Sequence, residues 1–396
     1  MRTEFNMRAL AAVGARMDGN YQGGRAASSS IRVIRHGQEC YRHLAGYADL
    51  EAGKPTAGDT IYRMYSMSKP VTMTALMQLY EKGLVYLEDP VSAFIPEFRD
   101  MPVAVTLPDG AIEYEKQKRP ITVKNLCTMT SGLAYPGEGT PGGRIMAKLM
   151  NESNDDTPTD EIGNDVPTVE VVRIVAKKGV LNFQPGEKWE YGFSHDVVGA
   201  LVEVISGKRY GDYLRENIFE PLQMRDAGFF VPEAKRGRFC NAYSFENGAY
   251  VRRTENGFNE HYFSDAAFQS GGGGLVATVD DYVRFCMMLL DGGTWRGERI
   301  LGRKTIEMMR TQQLNDAQQA TFGWADRGYG YGIGMRTMLR PWRLNGSVGE
   351  FGWDGMMGTW LAVDPAEDMV VVYAQNMLPY NDNGMRLMPI IYGAME

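Results

Sequence analysis

The chain has 396 residues, 44% of them apolar, which is enough for a sizeable core and excludes a disordered tail or a small disulfide-stapled fold. Its 42 Lys and Arg stand against 49 Asp and Glu, a formal charge of -7, so no nucleic-acid partner is expected. Cys40, Cys127, Cys240 and Cys286 lie far apart without a CxxC pair, which implies neither a zinc ribbon nor a disulfide framework; they read as reduced, mostly buried thiols.

The N-terminal stretch MRTEFNMRALAAVGARMDGN interrupts its apolar residues with acids and arginines and offers no clean hydrophobic run before a cleavage site, so a cytoplasmic location is the expectation. No run approaches the ~18 apolar residues of a bilayer span, and no membrane partner is expected. Residues 31–35 and 40–47, flanking His36-Gly37-Gln38, predict a β-hairpin. Met73, Leu76, Met77 and Tyr80 then follow helical spacing, with Pro70 early and Gly83 as a stop, so a helix starts near Ser66. The polar residues 151–165 predict an exposed excursion.

Past Pro185-Gly186, Ser194 is placed to cap a helix whose Val198, Leu201, Val202 and Ile205 share a face before Gly207 ends it. Glycines 271–274 precede another helical stretch over 279–290, with Tyr282, Phe285, Cys286 and Leu289 on one side. Residues 359–365 and 369–376 predict an antiparallel hairpin, and 383–395 a closing helix. Strands at both ends with helices between predict an α+β architecture. One antiparallel sheet flanked by helices draws on residues 1–70 and 205–396, a mainly helical domain on 71–204, and a cleft lies between them.

Ser66-Met67-Ser68-Lys69 is a Ser-x-x-Lys at the start of a helix, where residues three apart face the same way and the lysine ammonium reaches the serine hydroxyl. A serine hydroxyl is a poor nucleophile until a base or cation helps remove its proton, and a helix N-terminus supplies an N–H and a favourable dipole for the oxyanion that follows. Alone the motif is weak, since roughly nine in ten such matches are surface or capping residues, and Ser68 competes inside it.

Its company is more specific. Tyr65 to Pro70, Gly83 to Pro90, Ile121 to Leu133, Pro185-Gly186 with Tyr191 to Asp196, glycines 271–274 through Thr278 before Asp280-Asp281-Tyr282, and Trp353-Asp354-Gly355 before Val363-Asp364-Pro365 succeed one another over roughly residues 30 to 376. In order and spacing these blocks resemble the serine β-lactamase-like superfamily, and within it the class C β-lactamase-like esterases, often called family VIII carboxylesterases, and related acyltransferases. The resemblance implies a β-lactamase/transpeptidase-like fold and an acyl-enzyme on Ser66, with Lys69 as its partner and Tyr191 acting as base and then acid. An unperturbed tyrosine, pKa near ~10, is no base at neutral pH, but a neighbouring lysine cation favours the phenolate. The third block should lay an edge strand beside the nucleophile, which makes the Ser66 and Met356 backbone N–H groups the expected oxyanion donors. No cofactor is required, and the expected partner is a small-molecule ester.

Two departures from the family's pattern bear on substrate. Phe193 stands where many relatives have an asparagine, and Trp353-Asp354-Gly355 replaces the Lys-Thr-Gly of lactamases. A β-lactam carries a carboxylate that benefits from a cation there, which Trp353 removes. Asp354 makes the field more negative if it faces the pocket, or is a solvated turn acid. A neutral ester is therefore expected, with Trp353, Asp354, Gly355 and Phe193 lining its site. Acyl transfer, amide or β-lactam hydrolysis at the same serine, and a binding module without chemistry remain as alternatives.

Other signals read as coincidence. Glu161-Ile162-Gly163-Asn164 imitates a class A lactamase motif, and consecutive Ser194-His195-Asp196 cannot form a relay among themselves because neighbours on a helix point apart. There is no Gly-x-Ser-x-Gly elbow. His36, His43 and His261 lack ligand spacing, so no metal is expected. Glycines 271–274 lack the Lys-Ser/Thr of a phosphate loop and read as close backbone packing near the pocket.

Overall fold

A computed structural model of the chain describes residues 5–150, 165–254 and 260–396. Helix α1 (Ala12–Gln22) leads to the expected hairpin of β1 (Ser28–Arg35) and β2 (Gln38–Asp49), joined by a two-residue turn at His36-Gly37. A short β3 (Lys54–Pro55) follows before the chain turns helical with α2 (Ser68–Glu81), α3 (Thr168–Lys178), α4 (Ser194–Ser206) and α5 (Val279–Leu290). It returns to strands with β4 (Tyr329–Tyr331), β5 (Arg336–Met338), β6 (Phe351–Asp354), β7 (Trp360–Asp364) and β8 (Met369–Gln375), and closes with α6 (Asn383–Gly393).

These eight strands make one antiparallel sheet in the order β4-β5-β6-β7-β8-β1-β2-β3. The two ends of the chain thus meet at its centre, where β8 pairs with β1 from Ser29 opposite Gln375 to Arg35 opposite Met369. Every residue of β8 is buried, because the sheet is covered on both faces. Its side chains divide with the strand's period of two: Met369, Val371 and Tyr373 join Val13 and Met17 of α1 and Leu387 and Ile391 of α6, while Val370, Val372 and Ala374 join Phe285 and Leu289 of α5.

The second of these cores continues without a break into α2, α3 and α4, through Leu76, Val172, Val175, Val198 and Leu201. Helix α2 is buried on all sides from Ser68 to Met77, which makes it the central pillar of the molecule and explains the weak amphipathic stripe in its sequence. Its N-terminal turn is therefore held from several directions.

One local expectation is corrected. Ser194 does not cap α4: Phe193 occupies the N-cap position without a side-chain cap, and Ser194 is buried with its Oγ 2.8 Å from Ser131 Oγ. A second hydroxyl brought from the Ser131-Gly132-Leu133 stretch satisfies Ser194 inside the core and turns it away from the helix end. In α5 the cap is Thr278, whose Oγ1 accepts from the Asp281 N–H at 3.0 Å. Most of the excursion over 151–165, including Glu161 to Asn164, lies outside the described residues. Among the described residues no helix is long and apolar enough to cross a membrane, and the four cysteines are free.

Candidate active site

Ser66 lies in a 3-10 turn (Tyr65–Met67) that runs directly into α2. The turn opens on Tyr65 at φ 44°, a left-handed angle that bulky residues rarely adopt, so the backbone is bent sharply just before the serine. The two serines differ in burial. Ser66 keeps partial exposure, whereas Ser68 is fully buried and its Oγ accepts from the Leu275 N–H at 3.0 Å.

Lys69, one turn on, is fully buried. Its Nζ donates to Ser66 Oγ at 3.0 Å, Tyr135 Oη at 3.0 Å and the Gly272 carbonyl at 2.7 Å, which uses all three of its donors. Burial pushes its pKa down to about 7, against the opposing pull of Asp196 and Asp354. The amine is therefore poised between its two protonation states near neutral pH.

Tyr191 arrives from the segment ahead of α4, and its hydroxyl donates to Ser66 Oγ. Its ring stacks against Trp189 (6.1 Å, 26°) and Trp353 (5.9 Å, 29°), and Trp353 Nε1 reaches toward its hydroxyl at 3.5 Å. Burial raises the Tyr191 pKa well above the ordinary phenol value, with the Ser66 and Trp353 hydrogen bonds opposing it less strongly. The direction runs against the expected phenolate, because desolvation of the buried hydroxyl favours the neutral phenol.

Three members of the site were not found from the sequence. Tyr135, two residues beyond Leu133, accepts from Lys69 and donates to Asp196 Oδ2 at 3.4 Å, with its ring edge-on to Tyr191 at 5.5 Å. Asp196 is buried, and its Oδ1 accepts from Ser270 Oγ and from the Gly272 N–H at 3.1 Å. Gly272 then turns its carbonyl onto Lys69. Asp196 stood inside a block already singled out, but only the folded chain brings residues 135, 196 and 272 around one amine.

Gly272 also has no room for a side chain, because an added Cβ would collide with Tyr135 Oη and Asp196 Oδ2. Gly272→Ala is expected to cost about 2 kcal/mol of stability and to lower turnover at least about tenfold, read by urea unfolding beside a hydrolysis assay. His195, the next residue to Asp196, plays no such part. Its ring is fully buried, and burial with the nearby Lys69 charge holds its pKa well below the usual histidine range against a backbone hydrogen bond at Cys127.

The residues expected to line the substrate site have mixed positions. Trp353 backs Tyr191 and is itself buried. Phe193 is buried and packs edge-on to Tyr135 at 6.4 Å, so it supports the site from behind rather than facing a ligand. Gly355 lets the end of β6 press against the Met64 carbonyl just ahead of the Ser66 turn, while its own N–H donates to Thr359 O at 3.0 Å. Asp354 accepts from Tyr380 Oη at 2.8 Å and is no isolated negative charge, since Arg336, Arg327 and Lys69 all act to lower its pKa against the rise from burial.

β6 is not an edge strand, being paired with β5 on one side and β7 on the other. Met356 lies past its end in a turn, 44% exposed, and its N–H has no backbone acceptor among the described residues. Among the described residues no cluster of three or more ligating side chains is present to hold a metal.

The family described as Beta-lactamase matches residues 11–388. Protein Rv1367c of Mycobacterium tuberculosis is 32% identical over 340 residues, covering 83% of this chain and 80% of that protein. Esterase EstB of Burkholderia gladioli is 29% identical over 406 residues, covering 94% and 93%. Among solved structures, that of EstCE1, described as a hydrolase with promiscuous acyltransferase activity, superposes with a TM-score of 0.79 at 24% identity over 98% of both chains. A match over nearly the whole length, on a fold whose first helix turn carries the Ser-x-x-Lys, settles the lineage: the chain belongs to the beta-lactamase family of serine hydrolase-like proteins.

Proposed function

We propose that the protein is a serine hydrolase that cleaves neutral carboxylic esters through an acyl-enzyme on Ser66. The observation that carries this reading is the position of Ser66 Oγ, held by both Lys69 Nζ and the Tyr191 hydroxyl, with the amine poised near pH 7. Unprotonated Lys69 takes the Ser66 proton as Oγ attacks the ester carbonyl. The oxyanion forms opposite the N–H groups of Ser66 and Met356. On collapse, the C–O bond to the alcohol breaks and the proton passes to the leaving alkoxide, with Tyr191, a neutral phenol touching the same Oγ, as the relay. Water then attacks the acyl-enzyme with Lys69 again as base, and the acid leaves with Ser66 restored.

Neutral substrates are favoured because Trp353 supplies indole rather than a cation where a substrate carboxylate would need pairing. The similarity to EstB supports the ester. A short-chain p-nitrophenyl ester and a chromogenic cephalosporin, each followed by turnover and by intact mass of the acylated protein, test this directly. The ester is expected to turn over at least about a hundredfold faster in kcat/KM. Dominant cephalosporin turnover would move the protein to the lactamase side, and no adduct with either would leave a binding role.

Acyl transfer is the second reading, favoured by the aromatic wall of Trp189 and Tyr191, backed by the buried Trp353, which offers an alcohol acceptor an apolar surface beside the acyl-enzyme. The ratio of new ester to free acid with added alcohol decides between water and alcohol as acceptor.

A further inference from the structure

Among the large apolar side chains described, Trp342 and Val348 are the most exposed, at 66% and 63%, and both stand on the loop that follows β5, residues 339–349. Leu339, at 42%, is on the same loop. This display is not fraying. The Leu339 and Arg340 N–H groups donate to Gly328 O, the Gly349 N–H donates to Met338 O at 2.8 Å, and Asn345 Nδ2 reaches Pro389 O of α6. A pinned loop thus holds its apolar side chains out in water, which costs free energy unless something covers them.

The charges on the loop itself have one sign. Residues 339–349 contain Arg340 and Arg343 and no acid, in a chain whose formal charge is -7. Arg340 lies over the Trp342 ring at 5.4 Å. Arg310 stands beside Gly349, its Nη1 3.7 Å from where a Cβ would be. Arg16, Arg343 and Arg386 line an adjoining cavity of ≈ 440 Å³ together with Leu344 and Met385. Asp326 and Asp382 offset Arg343 and Arg386, but Arg16, Arg310 and Arg340 have no acidic partner among the described residues.

We propose that this loop is an interfacial anchor that seats the protein on an anionic lipid surface, reversing the expectation of no membrane partner. Trp342 suits the headgroup layer, with an apolar ring and a polar N–H, while Leu339 and Val348 enter just below it and the arginines pair with lipid phosphates. The exposed apolar part is three side chains, far short of what a stable protein interface buries, whereas interfacial seating needs only a few such residues backed by charge. The anchor connects to the site only indirectly: Asp326, the partner of Arg343, is two residues past Trp324, whose ring stacks on Trp353 at 6.3 Å.

The test is flotation of the full chain with vesicles of phosphatidylcholine, with and without phosphatidylglycerol, at low and high salt. The protein is expected to float with the anionic vesicles, to stay behind with pure phosphatidylcholine, and to be released by salt. Trp342→Ala is expected to weaken partitioning about tenfold. Arg340→Ala with Arg343→Ala should weaken it about twenty-five-fold, at about fivefold per arginine. Unchanged circular dichroism in both variants shows that folding is intact. Failure of the parent chain to float at low salt overturns the proposal, as does Trp342→Ala floating like the parent. A dimer that Trp342→Ala dissolves, seen by light scattering without flotation, would assign the patch to a second copy instead. Flotation reads binding without turnover, so it stands or falls apart from the ester-hydrolase reading.

Discussion

Ser66→Ala is expected to lower ester turnover by about 10⁴-fold or more and to abolish the acyl adduct in intact mass, with little change in melting temperature. The chemistry needs an oxygen at this one position, and Lys69 keeps Tyr135 and Gly272 as partners when it is gone. Ser68→Ala gives the contrast. It removes the acceptor of the buried Leu275 N–H, so it should cost about 1–2 kcal/mol of stability and leave an acyl adduct that still forms on Ser66. Labelling that survives in Ser66→Ala and fails in Ser68→Ala would exchange the two roles.

The second large effect is that of the amine. If unprotonated Lys69 takes the serine proton, kcat/KM rises through an inflection near pH 7, because below its folded pKa of about 7 the lysine holds a proton and cannot accept another. Lys69→Met should lose about 10³-fold or more in turnover, and the inflection with it. Stability moves on the same titration. Between about pH 7 and the lysine's ordinary value of 10.5 the unfolded chain binds the proton that the folded chain has released, so stability of the parent relative to Lys69→Met rises with pH across that window and is flat below it. Paired melting curves at several pH values read this slope. An inflection that persists in Lys69→Met would return the base to Tyr191.

What the sequence discloses about the site is the part written within a few residues. Ser66 and Lys69 are three apart on a helix, so their contact follows from helix geometry, and the strands at both ends follow from local pattern and turn residues. Tyr135, Asp196 and Gly272 come from three distant stretches, and no spacing rule places them around one amine. Burial was equally illegible. Tyr191 next to a lysine looks like a phenolate on paper, and only the packing of Trp189 and Trp353 around it shows how far desolvation holds it neutral. Phe193 and Ser194 carry the same lesson: both sit beside the key tyrosine, and both are taken up by the core through Tyr135 and Ser131.

The pairing of β8 with β1 has a consequence for how the protein is made. Lys69 leaves the ribosome about 300 residues before Gln375, an interval of about 15–60 s at ~5–20 residues per second. Throughout it, Ile31 and Val33 of β1 have no β8 beside them, and α5, once made, lacks the Val370 and Val372 side of β8 against its Phe285 face. The nascent polypeptide thus carries the Ser66–Lys69 pair early but unsupported, with strand edges open until the β7–β8 hairpin emerges. Packing around Ser66 and Lys69 is therefore completed only after β8 has been made, rather than accruing evenly as the chain lengthens.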